Sequence, residues 1–586
     1  MKPKELLNRL TTEEKVKWTA GNNMWTMLGN ETLNIKPIFV ADGPHGVRAY
    51  NEKPEKQMWG KNELAPSTMF PSAAAMASTW NEDLIYKVGQ TIGKECNHYH
   101  VDVLLAPGVN LKRSPLAGRN FEYYSEDPYL TERMGVNFIK GVQSEKVGAC
   151  VKHFALNEQE DQRRFINTIV DERTMHELYL KPFKNILKEA NPVSIMSSYN
   201  KINGEYASES KLLLKDILRD KWGYTGCVIS DWGAVQDKVK SLKNGMNIEM
   251  PGTSEFEQEV FHALENNELT IKEIEDSLLP VLELREYTLQ NDLKGTKTNL
   301  EHNHQVAYEV SKEAIVLLKN DGILPLKEKQ KILVIGEFAK TPRINGGGSA
   351  TLKPFYLENP LQELSKLFDV TYLKGYQEES TTKELLNEIE NNINNHDYVL
   401  FFTGTTEALE TEGKEREHMN LPKGHIEAYQ KIKAYNKNVI VILNNGGALD
   451  LTEIMDANAI IEAWLLGSSN GKALAEIICG QVNPSGRLSE TIPYCIEHTP
   501  HYGMFPSKQD EVHYEGDLLR VGYRYYDTHK YPVRYPFGYG LSYTTFDYCN
   551  LTIDKNTMKE DEEIHVSIDI TNTGKVSGKE VVQLYI

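Results

Sequence analysis

The sequence predicts an α/β protein: a TIM-like (β/α) barrel, then an α/β sandwich, then part of an antiparallel β-sandwich. Three observations predict it. Up to about residue 295, short apolar runs alternate with helical segments, and each run ends in polar residues. Buried parallel strands whose C-terminal ends face a site read this way. A second series of apolar runs and helices occupies residues 311–495. From Thr544 the apolar residues alternate with a period of two, as in half-buried antiparallel strands.

In the barrel region, residues 1–295, five runs end at polar groups. Ile38-Phe39-Val40 ends at Asp42, Val103-Leu104-Leu105 at Asn110, Ala149-Cys150-Val151 at Lys152-His153, Val193–Met196 at Tyr199-Asn200, and Cys227-Val228-Ile229 at Asp231. A sixth, at Ile248, leads to Met250-Pro251-Gly252, and Glu172–Ala190 and Glu209–Lys221 read as intervening helices. Six strands fall short of a full (β/α)₈ barrel, so an incomplete one is expected. Residues 296–310 are polar and read as a linker, with a helix expected over Val306–Asn320. In the sandwich domain, strands are expected at Ile332–Ile335, Val370–Leu373, Tyr398–Phe402, Val439–Leu443 and Ile460–Trp464. Helices such as Thr382–Asn392 and Lys472–Cys479 separate them, which gives an open parallel sheet covered on both faces. Residues 496–543, rich in Tyr, Pro and Gly, read as a connecting segment. Residues 544–586 give strands at Ile564–Ile570 and Val581–Ile586 around an Asn572-Thr573-Gly574 turn. A whole β-sandwich takes about 100 residues, so this module is expected to be truncated.

With 40% hydrophobic and 25% charged residues, the composition is that of a soluble globular chain of several domains. The 83 acidic residues exceed the 65 basic ones, and the net charge of −18 repels phosphate backbones, so no nucleic-acid partner is expected. No apolar run approaches the roughly 18 residues of a spanning helix, so no membrane partner is expected either. Met1-Lys2-Pro3-Lys4-Glu5 leads into no apolar signal region, and the six cysteines form no CxxC pattern. Together these predict a reduced, cytoplasmic protein without structural zinc. Homo-oligomerisation is left open.

The chemistry-bearing stretches fall at the strand ends. Asp42-Gly43-Pro44-His45-Gly46-Val47-Arg48 holds a carboxylate on a tight turn. In Gly118-Arg119-Asn120-Phe121-Glu122 the arginine suits hydrogen bonding to a polyol. Lys152 and His153 are adjacent, so strand alternation would send them to opposite faces. Both reach one ligand only if the strand ends or bends there. Gly226–Gly233 delivers Asp231 with Trp232 beside it, and an indole offers the apolar face that a sugar ring needs. Glu410–Arg416 is an acidic loop following a strand. Asn345-Gly346-Gly347-Gly348-Ser349 lacks the ending of a P-loop and reads as a loop of close backbone approach, with Ser349 a ligand contact. Each stretch alone has a plainer reading: a helix cap at Asp231, a turn at Asp42, a surface arginine at 119, a solvated acidic loop around Glu412. Jointly they line one cup suited to a sugar.

In combination these motifs resemble glycoside hydrolase family 3, and within it the β-glucosidases, from about residue 5 to 586. The resemblance rests on Asp42-Gly43-Pro44, Gly118–Glu122 with Ser125-Glu126-Asp127-Pro128, Lys152-His153-Phe154 with Asn157-Glu158-Gln159-Glu160, Met196 with Tyr199-Asn200, Ser230-Asp231-Trp232, Glu412-Gly413 and Pro536–Tyr543. It implies a barrel-like domain, an α/β sandwich and a fibronectin-III-like C-terminal domain, with a sugar site at the domain boundary and no metal or cofactor. By motif, Asp231 is expected as nucleophile and Glu412 as general acid/base. Asp42 is expected on the sugar's O4 and O6, with Arg48 supporting it. Arg119, Lys152, His153, Arg163 and Tyr199 are expected on the other hydroxyls or on Asp231, with Met196 and Trp232 lining the pocket. Where the family usually has Asp-Arg after Glu-Gly-x, this chain has Glu415-Arg416.

The expected reaction is hydrolysis of terminal non-reducing β-D-glucosyl residues by double displacement. In it, Lys152 and Arg163 are expected to depress the Asp231 pKa, and Glu412 to sit in a less polar place. Alternatives are a β-xylosidase or other exo-β-glycosidase, a glycosyl transferase on the same scaffold, or a non-catalytic sugar-binding protein. The family's β-N-acetylglucosaminidases carry Lys-His-Phe-Pro-Gly, whereas Lys152-His153-Phe154 continues here as Ala155-Leu156, which argues against that activity.

Overall fold

The computed structural model describes residues 2–51, 63–435 and 437–585, and its two main sheets each have six strands. The first sheet runs in the order Thr26–Met27, Ile38–Asp42, Val103–Leu105, Gly148–Phe154, Ser194–Ser197, Cys227–Ser230. Its first pair is antiparallel and every later pair is parallel. Ile248, expected in a strand, contributes only an isolated bridge to Ile229. Glu249 bridges Ala20, and Gly21 bridges Met27 back on the first strand. Pro251, lacking an N–H donor, is a physical reason why that pairing goes no further.

Strand side chains alternate between two packed faces. Phe39, Ala41, Leu104, Val151, Ile195 and Val228 pack with Ile85, Val88, Met134 and Phe138 of the helices Glu82–His98 and Pro128–Ser144. Ile38, Val40, Val103, Leu105, Cys150, Cys227 and Ile229 pack on the other side with Leu278, Val281 and Leu282 of the helix Ile271–Leu289. Asp42 and Met196 are in step with this second set, and so is Asp231, one residue past its strand. The helix starts are capped conventionally. Asp127 accepts from the Leu130 N–H at 2.8 Å, with Pro128 in the first turn.

The second sheet runs Val316–Asn320, Ala459–Glu462, Asn438–Asn444, Tyr398–Gly404, Lys331–Ile335, Asp369–Leu373. All its neighbours are parallel except the first pair. Two expectations are corrected here. Residues 296–310 are not simply a linker, because a helix spans Leu300–Ala314, capped by Asn299 accepting from the Glu301 and His302 N–H groups. Its charged residues form the outer face, while Asn303, Val306, Ala307, Val310, Ser311 and Ala314 are buried. The helix expected to reach Asn320 stops at Ala314, and the β-branched and leucine run after it becomes the antiparallel edge strand. A short apolar run of that kind is ambiguous from periodicity alone.

The connecting segment folds back onto the first domain. Glu511–His513 pairs in parallel with Asn167–Ile169, and Asp517 accepts from Arg113 Nε at 2.6 Å and from the Tyr179 hydroxyl at 2.7 Å. Near the C-terminus, Phe546–Ile553 and Val566–Asn572 form an antiparallel hairpin with Leu551, Ile553 and Val566 exposed. Residues 581–585, expected as a strand, form none; Ile586 lies outside the described residues. Among the described residues no helix is long and apolar enough to cross a membrane.

Candidate active site

Strand ends of the first sheet and two loops of the second domain enclose a pocket of about 260 Å³. Its lining holds Asp42, Arg119, Lys152, His153, Arg163, Met196, Tyr199, Asp231, Trp232, Ser349 and Glu412, together with Met24, Trp25 and Arg164. The last three were missed in the sequence. Trp25 and Met24 sit in no motif, and Arg164 carried no signal beyond standing next to Arg163. Arg48 does not line the pocket, although its charge bears on Asp42. Its Nη1 donates to the Gly348 and Ser349 carbonyls at 3.1 and 3.3 Å, so it holds the glycine loop from behind.

The bend required at Lys152-His153 is present. The pairing of Gly148–Phe154 with Ser194–Ser197 loses register between Val151 and Phe154. There the Asn110 amide takes over the ladder: its Oδ1 accepts from the His153 N–H at 2.8 Å and its Nδ2 donates to the His153 carbonyl at 3.1 Å. Lys152 Nζ lies 3.7 Å from Asp42 and 3.6 Å from Glu122. The Asp231 Oδ1 accepts from the Trp232 N–H at 2.7 Å, and His153 Nε2 is 3.8 Å from Oδ2. Trp232 packs against Trp25 with ring centroids 5.9 Å apart, and its indole N–H donates to the Met24 carbonyl at 3.0 Å. The Arg163 guanidinium lies over the Tyr199 ring at 4.6 Å.

Glu412 arrives from the second domain. Its Oε1 accepts from Arg163 Nη1 at 2.9 Å and its Oε2 from the Ser349 N–H at 2.8 Å, and Arg119 Nη1 lies 3.9 Å from Oε1. The glycine before Ser349 is required: Gly348 has φ +101°, and a Cβ there would stand 2.4 Å from the Glu412 Cβ. Arg119 is itself oriented by Glu122, which accepts from its Nε at 2.7 Å. Arg119 Nη1 is buried and makes no hydrogen bond among the described residues. A ligand rich in hydroxyls would satisfy it.

The charge order differs from the one expected. Burial raises the Asp231 pKa and the Glu412 carboxylate adds to the rise, while Arg163 and Arg119 only partly oppose them. Burial also works to raise Glu412, but Arg119, Arg163 and then the hydroxyl and N–H of Ser349 outweigh it and hold that carboxyl well below its ordinary value. Among these groups, therefore, a proton goes to Asp231 before Glu412. Burial lifts Asp42 to about 6 against the pull of Lys152 and Arg48. His153 is pushed well below its usual value by burial and by Arg119, Lys152 and Arg163, so it is neutral. Among the described residues no group of three or more His, Cys, Asp and Glu is placed to hold a metal ion.

Comparison with known proteins places this geometry. The models of the glycosyl hydrolase family 3 N terminal domain and C-terminal domain match residues 55–284 and 315–543. Thermostable beta-glucosidase B of Acetivibrio thermocellus is 40% identical over 591 aligned residues, covering 100% of this chain and 78% of that protein. An exo-alpha-(1->6)-L-arabinopyranosidase of Bifidobacterium longum is 39% identical, covering 98% of this chain and 77% of the other. The crystal structure of a β-glucosidase from Bifidobacterium adolescentis superposes with a TM-score of 0.90 at 39% identity, over 97% of this chain and 82% of that one.

Proposed function

The chain belongs to glycosyl hydrolase family 3, and from that premise we propose that it is a retaining β-glucosidase acting on terminal non-reducing β-D-glucosyl residues. One observation carries the mechanism: two carboxylates from separately folded domains, Asp231 and Glu412, line one pocket of monosaccharide size beside donors suited to hydroxyls. Asp231 attacks the anomeric carbon as the bond to the leaving oxygen breaks, and Glu412 gives that oxygen a proton. Glu412 then takes a proton from water as the water displaces Asp231.

Catalysis needs the reverse of the charge order that the protein groups set by themselves. A sugar engages Arg119 and Arg163 through its hydroxyls, which weakens their hold on Glu412 and lets its carboxyl take up a proton. Once Asp231 is esterified its charge is gone, and Glu412 is freer to act as base. Neutral His153 and Lys152 hold further hydroxyls, and Trp232 and Met196 supply the apolar surface. We read the first sheet with its helices as the family's TIM-like domain and the terminal hairpin as part of a fibronectin-III-like module. A cytoplasmic location is supported by the six cysteines, which form no disulfide among the described residues.

The test is the product anomer followed by NMR during hydrolysis of an aryl β-glucoside. β-Glucose is expected first, and α-glucose first would overturn retention. Because Asp42 is read as pairing with O6, an aryl glucoside is expected to exceed the xyloside in kcat/KM by roughly 10²–10⁴-fold. The 39% identity to an exo-α-L-arabinopyranosidase favours a second reading, in which a pentopyranosyl is the substrate. Faster cleavage of aryl α-L-arabinopyranoside in the same panel would select it.

A pH prediction follows from Asp42, whose folded value is raised to about 6. Above that pH it is ionised and accepts two sugar hydroxyls; below it, it is protonated and accepts less well. The kcat/KM for the glucoside is therefore expected to fall as pH drops through about 6. The Asp42→Asn variant, slower throughout, is expected to lack that limb; an identical limb in the variant contradicts the assignment.

A further inference from the structure

Glu412 lies in a loop whose two halves are held differently. On its N-terminal side the second domain holds it: Glu410 accepts from Arg343 at 2.8 Å, Thr411 bridges Gly347, and the Glu412 N–H donates to the Gly347 carbonyl at 3.2 Å. After Glu412 the second domain lets go until Arg416, whose Nη1 donates to the Ala448 carbonyl at 2.9 Å. Gly413 and Lys414 are exposed, and a Cβ at Gly413 would meet nothing within 4 Å.

What holds that second half is the first domain, through a reciprocal pair of carboxylates. Glu415 Oε2 accepts from the Gly118 N–H at 2.7 Å, and its Oε1 accepts from the N–H of Glu160 and from that of Asp161 at 3.3 Å. In return Glu160 Oε2 accepts from the Gly413 N–H at 2.8 Å and from Arg163 Nη1 at 2.8 Å. The backbones touch between them, for a Cβ on Gly118 would stand 1.7 Å from the Lys414 carbonyl oxygen. The groups so joined are neighbours of the pocket: Gly118 precedes Arg119, and Glu160–Asp161 precedes Arg163, the two arginines that face Glu412.

We propose that Glu415 is a positioning residue: it clamps the acid/base loop to the first domain and so fixes where the Glu412 carboxyl stands relative to Asp231. The inference rests on the reading of Glu412 as acid/base. The Glu415 side chain spans three backbone donors on two separate segments. Burial and the Glu160 carboxylate push Glu415 up to about 8, while the backbone N–H groups pull it back.

The experiment compares kcat/KM for 2,4-dinitrophenyl β-glucoside, whose leaving group needs no proton, with that for methyl β-glucoside, whose leaving group does. It uses the wild type, Glu412→Ala, Glu415→Ala and Glu415→Gln. Displacing a catalytic group by about 1 Å costs on the order of 10²-fold, so Glu415→Ala is expected to lose about that factor on the methyl glucoside while holding the dinitrophenyl glucoside near the wild-type rate. Glu415→Gln keeps the Oε1 contacts but turns an amide against the Gly118 N–H, so a smaller loss with the same selectivity is expected. Equal losses on both substrates, or none on either, overturn the clamp. If Glu415→Ala does not fold, the ratio of the two substrates in Glu415→Gln decides, and an unchanged ratio overturns it. A Glu412→Ala enzyme without leaving-group selectivity would instead sink the acid/base reading, so the two failures are distinguishable.

Discussion

Replacing Asp231 by alanine is expected to lower kcat for an aryl β-glucoside by roughly 10⁴–10⁶-fold, the scale seen when a covalent nucleophile is removed from an otherwise intact site. The substitution deletes a carboxylate that sits just beyond a fully buried strand, Cys227–Ser230. The fold is expected to survive it. Its backbone N–H still donates to the Ser197 carbonyl at 3.1 Å, and the side-chain bonds lost are those from its own neighbour, the Trp232 N–H, and from the Tyr199 hydroxyl. Because burial already raises the Asp231 pKa, losing the carboxyl relieves a buried charge, which offsets the lost bond to the Tyr199 hydroxyl. Unchanged thermal unfolding with activity gone is therefore the expected pair of results. Wild-type activity in this variant would remove Asp231 from the chemistry.

Glu412→Ala is expected to divide substrates by leaving group. With an alkyl glucoside, kcat/KM should fall by roughly 10²–10⁴-fold, the usual worth of general acid catalysis, while dinitrophenyl glucoside should keep a fast first step. The second step loses its base, so a burst of dinitrophenolate followed by slow turnover is expected. Added azide, a nucleophile that needs no base, should restore turnover and give the β-glucosyl azide. The variant also frees Arg163, which in the wild type bonds Glu412 at 2.9 Å, to pair with Glu160 alone. Stopped-flow traces with no burst and equal loss on both substrates would contradict the role.

Much of this site could be read from strand ends. Asp42, Lys152, His153, Met196 and Asp231 each follow or close an apolar run, and parallel strands put such residues at one end of a sheet. That logic is local and needs no partner to be known. What escaped it was set by contacts far apart in the chain. Arg48 bonds carbonyls some 300 positions away, and Arg163 reaches Glu412 across 249 positions, so the arginines' grip on the acid, and with it the charge order, had no local trace. Trp25 was missed because it precedes a strand of only two residues, too short to show a period. The edge strand Val316–Asn320 was read as helix because its apolar run follows Ala314 without a turn signal. The polar stretch before it was read as a linker because half of an amphipathic helix is polar too.

The central claim is a covalent bond between substrate and Asp231. Incubation with 2,4-dinitrophenyl 2-deoxy-2-fluoro-β-glucoside tests it most directly, since the fluorine slows release of the glycosyl-enzyme more than its formation. Mass spectrometry of the digested, inactivated protein is expected to find one fluoroglucosyl group, on the peptide carrying Asp231. A label on another carboxylate, or an enzyme that turns the reagent over with no label at all, would contradict the account.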